Sequence, residues 1–78
     1  GMPLSLAAPG ERLRVEQLRG GQEAKRQLEE LGLNLGTEVE VISANGGPMV
    51  LAVRGTRLAI GRGVAQKVLV SQLPDDQD

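Results

Sequence analysis

Short runs of alternating apolar and polar residues, each cut off by a glycine-bearing turn, leave this chain little to fold into but a sheet of short strands. In "ERLRVEQL", residues 11–18, Leu13 and Val15 alternate with Arg12, Arg14 and Glu16, as a half-buried strand requires. In residues 37–42, Val39 and Val41 take one face, Glu38 and Glu40 the other. Asn45-Gly46-Gly47-Pro48 is a turn signal before the apolar run Met49–Val53. Arg54-Gly55-Thr56-Arg57 reverses the chain, with Gly55 suited to the positive φ of a tight hairpin. Leu58 and Ile60 continue a fourth strand, which Gly61-Arg62-Gly63 interrupts. "VAQ" at 64–66 is expected as a single helical turn. Residues 67–70 complete the set, with Val68 and Val70 inward.

One segment follows a different period. "QEAKRQLEELG", residues 22–32, consists of strong helix formers, with Ala24, Leu28 and Leu31 at i, i+4 and i+7 on one face. About three turns of helix are not stable alone, so the stripe has to pack on the sheet. Leu28 and Leu31 are therefore expected in the core. Any exposed part of the stripe would instead offer, with Gly32, a groove edge to a partner. Gly32 stands where a left-handed helix cap favours glycine, and Leu33 is expected to pack back on the helix end. Five short strands with one helix after the first gain most by curling into a small barrel, which leaves few open edges.

What such a barrel can do is narrowed by what it lacks. The 78 residues contain no Cys, His, Phe, Tyr or Trp. The core must then be built from aliphatic side chains without a disulfide, near the lower size limit for a single domain. No thiolate can attack or bind a metal, and the usual general base near neutral pH is absent. A hard cation would have only carboxylates such as Glu23, Glu29, Glu30, Glu38 and Glu40, and these are dispersed. No catalytic residue, metal site or cofactor is assigned. Proline-rich peptides and single-stranded nucleic acids both call for aromatic platforms, so neither is expected as a ligand. No apolar run approaches the roughly 20 residues that span a bilayer. With Gly1 read as an expression remnant and no signal peptide, a soluble cytoplasmic protein is expected.

Charge is unevenly spread. Residues 1–40 hold five Lys/Arg and seven Asp/Glu, whereas residues 41–74 hold Arg54, Arg57, Arg62 and Lys67 with no acid. Asp75, Asp76 and Asp78 then form an acidic tail, and residues 71–78 are expected to be disordered. Arg54 and Arg57 flank a hairpin tip and Arg62 lies in the next loop, as solvated charges or as contacts to an acidic surface. In Met49–Val53, if Met49, Leu51 and Val53 point inward, Val50 and Ala52 face outward. With Ala59 they make an apolar strip, covered by the barrel's own helix or by Leu4 and Leu6, or by a protein partner or second copy.

Taken in order, "PGERLRVEQLRGG", "LEELGLNLGTEVEVI" and "GGPMVLAVRGTRLAIGRGVAQKVLV" resemble the FeoA family of bacterial ferrous iron transport. The resemblance spans residues 4–70, and Gly61-Arg62-Gly63 is where it departs from the family pattern. It implies an SH3-like five-stranded barrel with the helix after the first strand. It also implies a non-catalytic accessory acting on the cytoplasmic, GTPase-bearing region of the FeoB membrane transporter. The residues offered for partner contact are Leu28, Leu31, Gly32, Val50, Ala52, Arg54, Arg57, Ala59 and Arg62. FeoA-like domains also end metal-dependent transcription repressors, so a regulatory module acting in trans is the alternative.

Overall fold

In the computed structural model, which describes residues 1–74, the strands form one antiparallel sheet of six. They are β1 (Met2–Pro3), β2 (Arg12–Leu18), β3 (Glu38–Ser43), β4 (Met49–Val53), β5 (Thr56–Ile60) and β6 (Val68–Gln72). Their order across the sheet is β1-β6-β2-β3-β4-β5. Helix α1 (Gln22–Glu30) connects β2 to β3, and the short α2 (Arg62–Ala65) connects β5 to β6. The architecture is mainly β with α1 after the first long strand, as expected. Two details differ. β1 is a sixth strand, too short for alternation to reveal, and its proline sits at a sheet end where a missing donor costs nothing. Among the described residues the barrel is also not closed by hydrogen bonds, since the end strands β1 and β5 do not pair with each other. The helical turn starts two residues before "VAQ", and β6 continues to Gln72. Of the tail expected to be disordered at residues 71–78, Ser71 and Gln72 are instead paired with β2 as the end of β6, because the sheet register carries past Val70, and residues 75–78 lie outside the described residues.

Two bulges curl the sheet. Between Val15 and Gln17 the β2–β6 register shifts, so Glu16 and Gln17 both face outward and Leu18 returns to the core. A second shift, between Val41 and Ser43, bends β3 against β4. Side chains from all the long strands then meet in one aliphatic core, in which Leu13, Met49, Leu51, Val68 and Val70 have no exposed surface. Leu4, from a 3-10 turn at Leu4–Leu6, is buried with them. Leu6 points away and is 71% exposed. That turn packs on α2 and β6.

Helix α1 begins without a side-chain cap, at Gly21. Glu23 in its first turn complements the helix dipole. Arg26 is paired with both Glu23 and Glu30 along the exposed face. Its far end is closed by the glycine: Gly32 has φ +93°, its amide donates to the Glu29 carbonyl, and the Leu33 amide donates to the Leu28 carbonyl, both at 3.0 Å. This paired closure brings Leu33 back onto Leu28, and both are buried.

Candidate functional site

The apolar stripe of α1 splits at its last turn. Leu28 is buried, but Leu31 is 43% exposed, which corrects the expectation that both lie in the core. The reason is the closure just described. Leu33, not Leu31, fills the space under the helix end, and Leu31 is left on the rim. Beside it runs a small cleft lined by Ala24, Gln27, Leu28, Leu31, Val64 and Lys67. Its volume is about 60 Å³. That suits the tip of one aliphatic side chain and falls short of the roughly 300 Å³ at which small-molecule sites begin. Val64 and Lys67 were not legible as lining residues. They reach α1 only because α2 turns the chain back between β5 and β6.

The helix end also meets the hairpin. A β-carbon on Gly32 would lie 3.9 Å from Val53 Cγ1, so the glycine sits over the last residue of β4. The next two residues, Arg54 and Gly55, have φ of +53° and +79°. With Val53 paired to Thr56, they form the two-residue turn whose central positions both require positive φ. Arg54 is the only non-glycine with positive φ among the described residues. Leu31, Gly32 and Arg54 are thus brought to one end of the molecule.

Val50, Ala52, Arg57 and Ala59 belong to the outer sheet face. In register Val50 opposes Ala59 and Ala52 opposes Arg57, so the four form two cross-strand pairs. Val50 and Ala52 are half-buried, whereas Arg57 and Ala59 are exposed. On the far side of β4, Ala52 opposes Glu40. Beyond that, Arg12 opposes Glu40 and Arg14 opposes Glu38, the latter in an ion pair at 3.4 Å.

Arg62 is placed elsewhere. Its guanidinium donates to the carbonyls of Ala44 (2.7 Å), Ser5 (2.9 Å) and Gly47 (3.3 Å). The side chain therefore holds the N-terminal turn and the β3–β4 turn to α2, with each of its three nitrogens donating to a backbone carbonyl. It serves the fold.

Among the described residues, no group of three or more His, Cys, Asp or Glu is arranged to hold a metal. No helix among them is long and apolar enough to cross a membrane. A hollow of about 550 Å³ is lined by residues 10–12 and 72–74, and there Gln72 donates to the Glu11 carboxylate. Its walls hold no nucleophile. A buried hydroxyl that the sequence does not flag, Thr37 Oγ1, has no hydrogen-bond partner among the described residues.

Comparison with known proteins agrees with this anatomy. The FeoA domain model matches residues 2–72. A candidate Fe(2+) transport protein A of Methanocaldococcus jannaschii is 37% identical over 68 residues, 87% of this chain and 83% of its own. A crystal structure of the iron uptake regulatory protein FeoA is 38% identical and superposes with a TM-score of 0.87 over 92% of this chain and 96% of that one. A manganese-dependent transcriptional repressor superposes with a TM-score of 0.84, over 92% of this chain but 41% of its own. At 19% identity that likeness is one of fold alone. With nearly the whole of the described chain matched by the family model, and a relative 37% identical over 68 residues, the chain belongs to the FeoA family.

Proposed function

We propose that this FeoA domain serves ferrous iron uptake as a non-catalytic accessory, binding the cytoplasmic region of an FeoB-type membrane transporter through the end of α1. With no Cys or His in the chain and no metal cluster among the described residues, its effect on transport comes from differential affinity for two states of the partner. The observation that carries this reading is Leu31: a large apolar side chain, 43% exposed, on the rim of a cleft sized for one aliphatic tip. Leu28 forms the floor, and Gly32 lets the chain pass close over Val53, so nothing projects between the rim and the hairpin. Arg54 at the adjoining tip supplies a charge for an acidic rim on the partner.

Calorimetric titration into the purified cytoplasmic domain of the transporter, with and without guanine nucleotide, tests this directly. Saturable heat that Leu31→Glu abolishes in a folded protein supports the reading. No heat in any nucleotide state at about millimolar concentration, a free energy of roughly −4 kcal/mol, contradicts it. A contact with the membrane-embedded part of the transporter and the regulatory module acting in trans are then the remaining readings. The repressor supports the latter by fold alone.

A further inference from the structure

Strand β5 ends the sheet, and it ends it open. Val53 and Thr56 close a two-residue turn, so their amides and carbonyls bond to each other. The alternation of an antiparallel ladder then turns Leu58 and Ile60 toward β4, while the N–H and C=O groups of Arg57 and Ala59 point away from it. Those four backbone groups make no hydrogen bond to any other element among the described residues. Unpaired groups in a row are a template for another strand.

The side chains along that edge select what can pair there. Arg54 and Arg57 form no ion pair among the described residues. Glu40, the acid that shares a register row with Arg57, lies two strands away, about 10 Å, and faces Arg12 on its other side. Two copies of β5 meeting antiparallel about Leu58 would set Arg57 against Ala59. The two Arg57 side chains would then lie at the diagonal separation of about 7–8 Å, where like charges repel. In that register the edge disfavours a second copy of itself. It remains favourable to a strand of opposite charge.

The geometry points to β5 as the docking edge for an extended acidic segment of a partner protein, added antiparallel as a seventh strand. An acid on that segment faces Arg57, a further acid reaches toward Arg54, and a small residue sits against Ala59 beside Val50. The residue between those outward positions turns inward onto half-buried Leu58. This assignment rests on the edge and its charges, not on the end of α1, and does not depend on which protein carries the segment.

The test uses the full chain, labelled for amide NMR, and two capped peptides: Val-Thr-Val-Glu-Val-Asp-Asp, and its counterpart with lysine at the three acidic positions. The acidic peptide is expected to shift the Arg57 and Ala59 amides and to bind at least about tenfold more tightly than the lysine peptide. Ala59→Pro removes one edge-facing N–H without touching the β4–β5 ladder, and should abolish binding. Arg57→Glu should transfer the preference to the lysine peptide, and decides the matter alone if the proline variant does not fold. Equal binding of the two peptides, unshifted edge amides, or an unchanged preference in Arg57→Glu overturns the proposal. So does a dimer of the free protein that Ala59→Pro disrupts, since that would assign the edge to a second copy. Arg54 is common to both surfaces, but Leu31 and Gly32 take no part, so failure here leaves the Leu31 contact of the transporter reading untouched.

Discussion

Arg62 and Ser5, 57 positions apart, are joined by a 2.9 Å hydrogen bond from guanidinium to backbone carbonyl. The same guanidinium reaches Ala44 at 2.7 Å. A small domain without disulfides thus uses one charged side chain to tie its N-terminal turn and its β3–β4 turn to α2. Hydrogen bonds from charged groups contribute about 1.5–3 kcal/mol each, and partial exposure lowers this. Arg62→Ala should therefore lower the unfolding free energy in urea by about 1–3 kcal/mol. A loss below roughly 0.5 kcal/mol, the range of an ordinary surface change, would mean that the staple contributes little.

The hairpin stores a small strain. Arg54 holds φ +53°, where a side chain other than glycine, asparagine or aspartate costs about 1–2 kcal/mol. Arg54→Asn should raise stability by up to about 1 kcal/mol, read from the same urea transitions. An unchanged or lower midpoint would show that the arginine gains compensating contacts in the folded state.

Thr37 is 7% exposed and its hydroxyl has no partner among the described residues. Replacing a buried unsatisfied group by an apolar one of the same shape removes a desolvation penalty of about 1–3 kcal/mol. Thr37→Val is expected to stabilise the protein by up to about that amount. A destabilisation of similar size would reveal a bound water or partner at Oγ1.

The strands were legible because alternation survives wherever one sheet face is buried: Val39 and Val41 in β3, and Met49, Leu51 and Val53 in β4, all point inward. The helix cap was legible at Gly32 because only the left-handed conformation brings Leu33 back onto Leu28. Other features have no local signature. Nothing in "RGV" indicates that Arg62 reaches three carbonyls from two distant turns. β1 contains only two residues, so no period exists to be read. Helical spacing placed Leu31 on the buried stripe, but the cap after it puts Leu33 in that space. Periodicity shows which face an element buries, and not where burial stops along it. The candidate site lies at that stopping point.

The two leucines of the stripe should therefore separate. Leu28→Ala removes a buried side chain and should cost about 2–5 kcal/mol. Leu31→Ala should stay within about 0.5 kcal/mol of the parent protein. Equal losses in urea unfolding would place Leu31 in the core after all.

The most direct measurement of the central claim is calorimetric binding of the Leu31→Ala protein to the transporter's cytoplasmic domain, beside the parent protein. Fully burying an aliphatic side chain contributes about 1.5–3 kcal/mol and Leu31 is 43% exposed, so Leu31→Ala should weaken binding by roughly three- to ninefold while the fold and its stability persist. Unchanged affinity in the variant would contradict the assignment of the α1 end as the contact surface.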